Sequence, residues 1–111
     1  SAMALQRKNG FVPIRKKGKL PHTTFSRSYG LEYGVDELEI HIDAVSPGEK
    51  VLLVDDVLAT GGTIDAALQL IADVGGICTH VVVLCEIDFL DGRSLLTQKY
   101  PGLSITTLVH A

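Results

Sequence analysis

The sequence predicts an α/β protein with a parallel sheet and flanking helices. Three observations carry this. An apolar run at residues 51–54 suits a strand buried on both faces of a parallel sheet. Ile64, Ala67, Leu68, Ile71 and Ala72 then recur at helical spacing, and Gly75 and Gly76 stop that helix. A Val-rich strand over 77–85, a short helix and a last strand over 103–109 complete a strand–helix–strand–helix–strand order.

From the start of the chain, residues 1–9 read as the last turns of a helix. Ala2, Leu5 and Ala4 supply its apolar stripe, and Gly10 is its C′ residue. A helix that begins uncapped at the first residue is expected to continue upstream. Residues 11–14 read as a short strand, with Pro13 favouring an edge or strand end. Residues 22–34 lack a period and read as a long mobile loop. From Glu37, Leu38, Ile40 and Ile42 alternate with Glu39, His41 and Asp43, a half-buried strand. It is expected to pair antiparallel with residues 11–15, as a hairpin carrying the flexible loop. Ser46, Pro47 and Gly48 make a turn, and Asp91 is a suitable N-cap for a helix through Leu95 and Leu96.

The 111 residues suffice for one domain, taken as 1–111. No apolar run is long enough to cross a bilayer, and residues 1–10 have no secretory pattern, so no membrane partner is expected. Cys78 and Cys85 lack metal spacing and read as buried free thiols of a cytoplasmic protein. The four histidines are scattered, and none is assigned to catalysis or metal binding. Charge is distributed unevenly. Arg7, Lys8, Arg15, Lys16, Lys17, Lys19 and Arg27 are seven of the ten cations, whereas all thirteen acids lie at or after Glu32. A basic segment on an acidic body suits nucleic acid, an acidic surface or a polyphosphate.

Residues 51–63 decide among these. Asp55 and Asp56 follow the apolar strand, at the carboxyl end where open α/β sheets bind ligands. Ala59, Thr60, Gly61, Gly62 and Thr63 then bring backbone N–H groups and two hydroxyls to a helix N-terminus, a cradle for phosphate. An anion cradle beside two carboxylates suits a phosphate joined to a polyol or a metal, and a phosphorylated ribose has both halves. The competing reading is a tight strand-to-helix turn with two surface aspartates.

The stretch resembles the ribose-phosphate signature of the type I phosphoribosyltransferases, which have a Rossmann-like fold. Beyond it, GFVPIRKKGKLP (10–21), SYGLEYG (28–34) and ELEIH (37–41) resemble the adenine phosphoribosyltransferase family, over residues 10–86. The resemblance implies transfer of a phosphoribosyl group from 5-phosphoribosyl-1-pyrophosphate to adenine, giving AMP and pyrophosphate. It also implies purine salvage in the cytoplasm, magnesium held mainly through substrate, and a homodimer. By residue, it implies Asp55 and Asp56 on the ribose hydroxyls and residues 59–63 on the 5′-phosphate. Arg15, Lys16 and Lys19 would face pyrophosphate; Lys17 either joins them or is solvated. Glu32 is the family's candidate for proton transfer with the base. Tyr29 and Tyr33 either close over substrate or pack the loop, and Val57 and Leu58 either wall the base site or belong to the core. No metal ligand is assigned with certainty.

Family members carry an N-terminal hood over adenine and an upstream pyrophosphate loop. With ten residues before Phe11, the N-terminal part is expected to be missing, and this chain by itself to be weakly active or inactive. Two further functions remain open: transfer to another purine or pyrimidine, and a non-catalytic sensor of phosphoribosyl pyrophosphate. The sensor would need a separate basic surface for nucleic acid. The cations instead lie beside the ligand motif, so no nucleic-acid partner is expected.

Overall fold

The structure, a computed structural model, describes residues 3–8, 10–16, 24–31, 34–41 and 45–111. It contains β1 (Met3–Arg7), β2 (Gly10–Lys16), β3 (Thr24–Leu31), β4 (Gly34–His41), β5 (Lys50–Leu58), α1 (Gly62–Asp73), β6 (Ile77–Glu86), a 3-10 turn (Asp88–Leu90), α2 (Gly92–Lys99) and β7 (Ser104–His110). The strands form one sheet in the order β3-β4-β2-β1-β5-β6-β7.

The second half follows the expected arithmetic. β5, β6 and β7 are parallel neighbours, connected through α1 and α2. Ile64, Ala67, Leu68 and Ile71 are buried on α1, which lies against β3, β4, β5 and β6. Gly75, at a φ of 88°, supplies the left-handed residue that ends the helix. β5 alternates rather than being dry on both faces: Val51 and Leu53 are buried, whereas Leu52 and Val54 are half-covered. Asp91 does precede α2, but at a φ of 54° and without capping a backbone N–H; its carboxylate accepts from Ser94 Oγ at 2.8 Å.

The first half differs from expectation in several places. Residues 3–7, read as a helix end, are strand β1, antiparallel to both β2 and β5. Met3 and Leu5 are buried while Gln6 is exposed, a period of two; over so few residues a helical stripe and an alternating one are indistinguishable, and ladders on both sides decide. Next, β2 lies inside the sheet rather than at its edge. Pro13 is tolerated because pairing with β4 involves Arg15 and Lys16, beyond the proline. Finally, 24–31 of the expected loop form strand β3, in register with β4 from Thr24↔His41 to Leu31↔Gly34. Residues 22, 23, 32 and 33 of that loop lie outside the described residues.

The expected antiparallel pairing of residues 11–15 with the strand after Glu37 is present only at Arg15↔Glu39, extended by Lys16↔Leu38, and the hairpin itself is formed by β3 and β4. Leu38 and Ile40 are buried as expected, but Glu39 is buried as well rather than facing solvent. The core gathers Leu5, Ile14, Ile40, Leu53, Leu58, Leu70, Ile71, Val81, Val83 and Leu96 around the sheet. Cys78 and Cys85 are free and half-buried.

Candidate phosphoribosyl site

β5 is longer than its apolar run and carries Asp55 to Leu58 before the chain turns. Asp55 is almost fully enclosed, at 2% exposure, and Asp56 is half-buried. The Asp56 N–H donates to Asp55 Oδ1 at 2.8 Å. Burial, followed by the neighbouring Asp56 carboxyl, pushes the Asp55 pKa up from 3.8 to about 7. Two carboxylates so close and so dry demand a cation or hydroxyl donors before both carry charge.

The loop after β5 turns at Gly61, whose φ of 94° suits glycine. Its carbonyl accepts the Asp65 N–H at 2.8 Å, opening α1. Thr60 is exposed, and its Oγ1 lies 3.5 Å from the Gly62 N–H. A cavity of about 180 Å³ opens here, lined by Asp55, Val57, Leu58, Ala59, Thr60, Gly61, Thr63 and Ile64. The expected ribose and phosphate residues therefore largely share one depression; Asp56 and Gly62 are adjacent but are not among its walls. Val57 is 39% exposed while Leu58 is fully buried, so Leu58 serves the core and lines the cavity at once.

Register also places the cations. Ile14 pairs with Met3, and Ala4 pairs with Val54, so Arg15 and Lys16 stand at the same sheet end as Asp55 and Asp56, with β1 between. At about 4.8 Å per strand spacing, the two strands are roughly 10 Å apart. Arg15 is exposed. The strand backbone at Lys16 and Tyr29 is described without their side chains. Lys17, Lys19, Glu32 and Tyr33 lie outside the described residues.

Sequence reasoning missed what stands behind the loop. Gly92 is buried against it, and Arg93, next along, forks onto Glu86 with Nη2–Oε1 at 2.7 Å and Nε–Oε2 at 3.1 Å. A Gly-Arg pair at a helix start was the available signal, and it indicates nothing until β6 and β7 are seen to converge there. His110, read as isolated, lies 2.7 Å from Asp88 Oδ1 and 3.9 Å from Glu86 Oε1. His80 lies 2.7 Å from Thr106 Oγ1.

Comparison with known proteins fits this geometry. The phosphoribosyl transferase domain family matches residues 5–101. An adenine phosphoribosyltransferase of Chelativorans sp. (strain BNC1) is 52% identical over 108 residues, 97% of this chain and 59% of its own length. The crystal structure of adenine phosphoribosyltransferase from Rhodothermus marinus superposes with a TM-score of 0.84 at 46% identity, covering 92% of this chain and 56% of that one. That of adenine phosphoribosyl transferase from Trypanosoma brucei, in complex with AMP, pyrophosphate and ribose-5-phosphate, gives a TM-score of 0.75 at 27% identity over 87% of this chain and 44% of that one. The chain thus spans between 44% and 59% of the length of these relatives, and the family match runs from within β1 to just past α2. With a sheet, acid pair and loop of this kind inside the matched region, the chain belongs to the phosphoribosyl transferase domain family.

Proposed function

We propose that the protein containing this chain transfers the 5-phosphoribosyl group of 5-phosphoribosyl-1-pyrophosphate to adenine, forming AMP and releasing pyrophosphate, in cytoplasmic purine salvage. The observation that carries the proposal is one cavity at the end of β5 lined by Asp55 and by Ala59, Thr60, Gly61 and Thr63 of the loop, with Asp56 adjacent. The names of the relatives favour adenine as the acceptor. Asp55 and Asp56 accept hydrogen bonds from the ribose hydroxyls, directly or through water, and their charge favours the cationic sugar of the transition state. Backbone N–H groups of the loop and the Thr60 and Thr63 hydroxyls hold the 5′-phosphate. Arg15 and Lys16, at the same sheet end, neutralise pyrophosphate, and Lys19 is proposed for the same role from its place in the sequence. Glu32 is the residue proposed to exchange a proton with the base nitrogen, and Val57 forms part of the base wall.

Magnesium suits the acid pair. Oxygen donors from one or two carboxylates, completed by waters and substrate phosphates, are its usual set. Burial disfavours the charge on Asp55, and a divalent cation alongside would restore it. Asp55 and Asp56 would help hold the ion, whose chemistry is to neutralise charge on the departing pyrophosphate. A homodimer completes the proposal. No described helix is long and apolar enough to cross a membrane.

Two measurements test this. Calorimetry should register ribose 5-phosphate binding to this chain and none for ribose lacking the phosphate. With a protein of the relatives' full length, adenine should yield AMP while guanine and orotate do not react. Tight binding of phosphoribosyl pyrophosphate without turnover of any base would replace catalysis by the sensor reading.

A further inference from the structure

We infer that Gly92 is a positioning residue for the phosphate loop: its bare Cα is the back wall on which residues 59–61 are seated. The inference rests on the reading of 59–63 as the 5′-phosphate site. A Cβ built on Gly92 would lie 2.3 Å from the Ala59 carbonyl oxygen, 2.8 Å from the Gly61 nitrogen and 2.8 Å from the Thr60 carbonyl carbon. All three are backbone atoms, so none can swing aside as a side chain would. Ordinary contact begins near 3.4 Å, so the loop would have to move by about 1 Å. The contact is reciprocal. A Cβ on Gly61 would meet the Gly92 carbonyl oxygen at 3.0 Å and Leu95 Cδ2 at 3.2 Å. Two glycines face one another, and the loop can approach α2 this closely only because neither has a side chain.

A wall is useful only if it is fixed, and α2 is held at both ends. At its start, Arg93 donates to Glu86 at the end of β6, to the Ile105 carbonyl at 3.1 Å and to Thr107 Oγ1 at 3.0 Å on β7. At its end, Lys99 Nζ lies 2.7 Å from Asp65 Oδ2, and the Tyr100 hydroxyl donates to the same carboxylate in the first turn of α1. The segment between β6 and α2 is tied to the foot of the loop by the Ile87 N–H, which donates to the Leu58 carbonyl at 2.9 Å. Sheet, α2 and α1 thus enclose the loop from behind and leave its other side to the cavity. A phosphate held by several N–H groups depends on their joint direction, so displacing the loop weakens all of those bonds together.

The test titrates ribose 5-phosphate into this chain, its Gly92→Ala variant and its Leu96→Ala variant, at a temperature where circular dichroism finds each folded. Leu96 is fully buried on the same helix and does not line the cavity. Gly92→Ala should bind about tenfold more weakly or worse, since a loop shift of about 1 Å lengthens and misaligns several N–H···phosphate bonds together. Leu96→Ala should lose stability yet keep its affinity within about twofold, because its cavity lies in the core rather than under the loop. Equal losses in both variants would reduce Gly92 to a packing residue and overturn the inference, as would unchanged affinity in Gly92→Ala. If Gly92→Ala does not fold, Arg93→Lys decides. It keeps the charge but loses the fork that anchors α2, and affinity should fall several-fold; unchanged affinity overturns the inference. Failure of the unaltered chain to bind ribose 5-phosphate refutes the phosphate-loop reading itself, and this inference with it. Binding by the unaltered chain with an indifferent Gly92→Ala refutes the inference alone.

Discussion

Asp56 donates its backbone N–H to the carboxylate of Asp55, so the two acids at the end of β5 are coupled before any ligand arrives. The coupling does not compensate for burial, which holds the Asp55 pKa at about 7 against 3.8 in the unfolded chain. Between those values the folded protein retains a proton that the unfolded chain has lost. Stability from this group is therefore complete below pH 3.8 and is lost as pH rises through about 7. Asp55→Asn removes the dependence. In urea unfolding without divalent cations, the variant should be more stable than the parent at pH 8.5, with the advantage gone near pH 3.5. Each pH unit of displacement is worth about 1.4 kcal/mol, so a difference of several kcal/mol is expected. An advantage that persists unchanged in acid would show that Asp55 ionises normally.

Replacing both acids should separate fold from chemistry. Asp55→Asn with Asp56→Asn, in a protein of the relatives' full length, should keep its circular dichroism spectrum and lose turnover by about 10²–10³-fold or more, the range expected for lost electrostatic stabilisation. Near-normal AMP formation by the double variant would remove the ribose-site reading.

Arg93→Met should destabilise by about 2 kcal/mol, because Glu86 stays buried without its fork. The value is set below that of a fully buried pair because the Arg93 side chain is 38% exposed. Adding Glu86→Gln should recover part of the loss. Hydrogen bonds from Arg93 hold the Glu86 carboxyl below its ordinary 4.5. Its contribution is present above that value and disappears as pH falls through the lowered one, so the gap between parent and Arg93→Met should narrow in acid. A loss of equal size at pH 3 and pH 7 would contradict this.

Tyr100→Phe should cost about 1 kcal/mol, the net value of one hydrogen bond. The Asp65 carboxylate that it leaves still accepts from Gln69 Nε2 at 3.1 Å and from Lys99 Nζ at 2.7 Å. Asp65→Ala removes all of these contacts together and should cost more. Urea unfolding of the two variants measures the difference, and equal costs would mean that the tyrosine carries the whole junction.

The second half of the fold was legible because each element there is long enough to declare a period and is bounded by glycine or proline. Ile64 to Ile71 can only be a helix, and Gly75 ends it as read. The first half was not legible. The five residues of β1 suit either periodicity, and ladders from β2 and β5, invisible in a sequence, choose between them. Residues 24–31, with Ser, Gly and Tyr, have no clean alternation, and β4 supplies the register that their pattern lacks. At the site, the acid pair and loop were evident because their chemistry requires consecutive residues. Gly92 was not, because its role arises from a contact with Ala59 and Gly61 across a helix, a strand and two turns.

β1 also sets the order in which the sheet can be assembled. Its ladder to β2 closes over a two-residue connection, whereas Leu5 meets Leu53 only after about fifty residues have been looped out, an entropic toll that grows with the span. The β5–β6–β7 unit, by contrast, is stitched together by helices of ordinary crossover length. Two ribbons should thus form early and independently, one antiparallel and one parallel, and the zipping of β1 against β5 should be the late step that fuses them. In pulse-labelled hydrogen exchange during refolding, the β6 amides should gain protection before those of Leu5 and Gln6; simultaneous protection would mean that the sheet condenses in one piece.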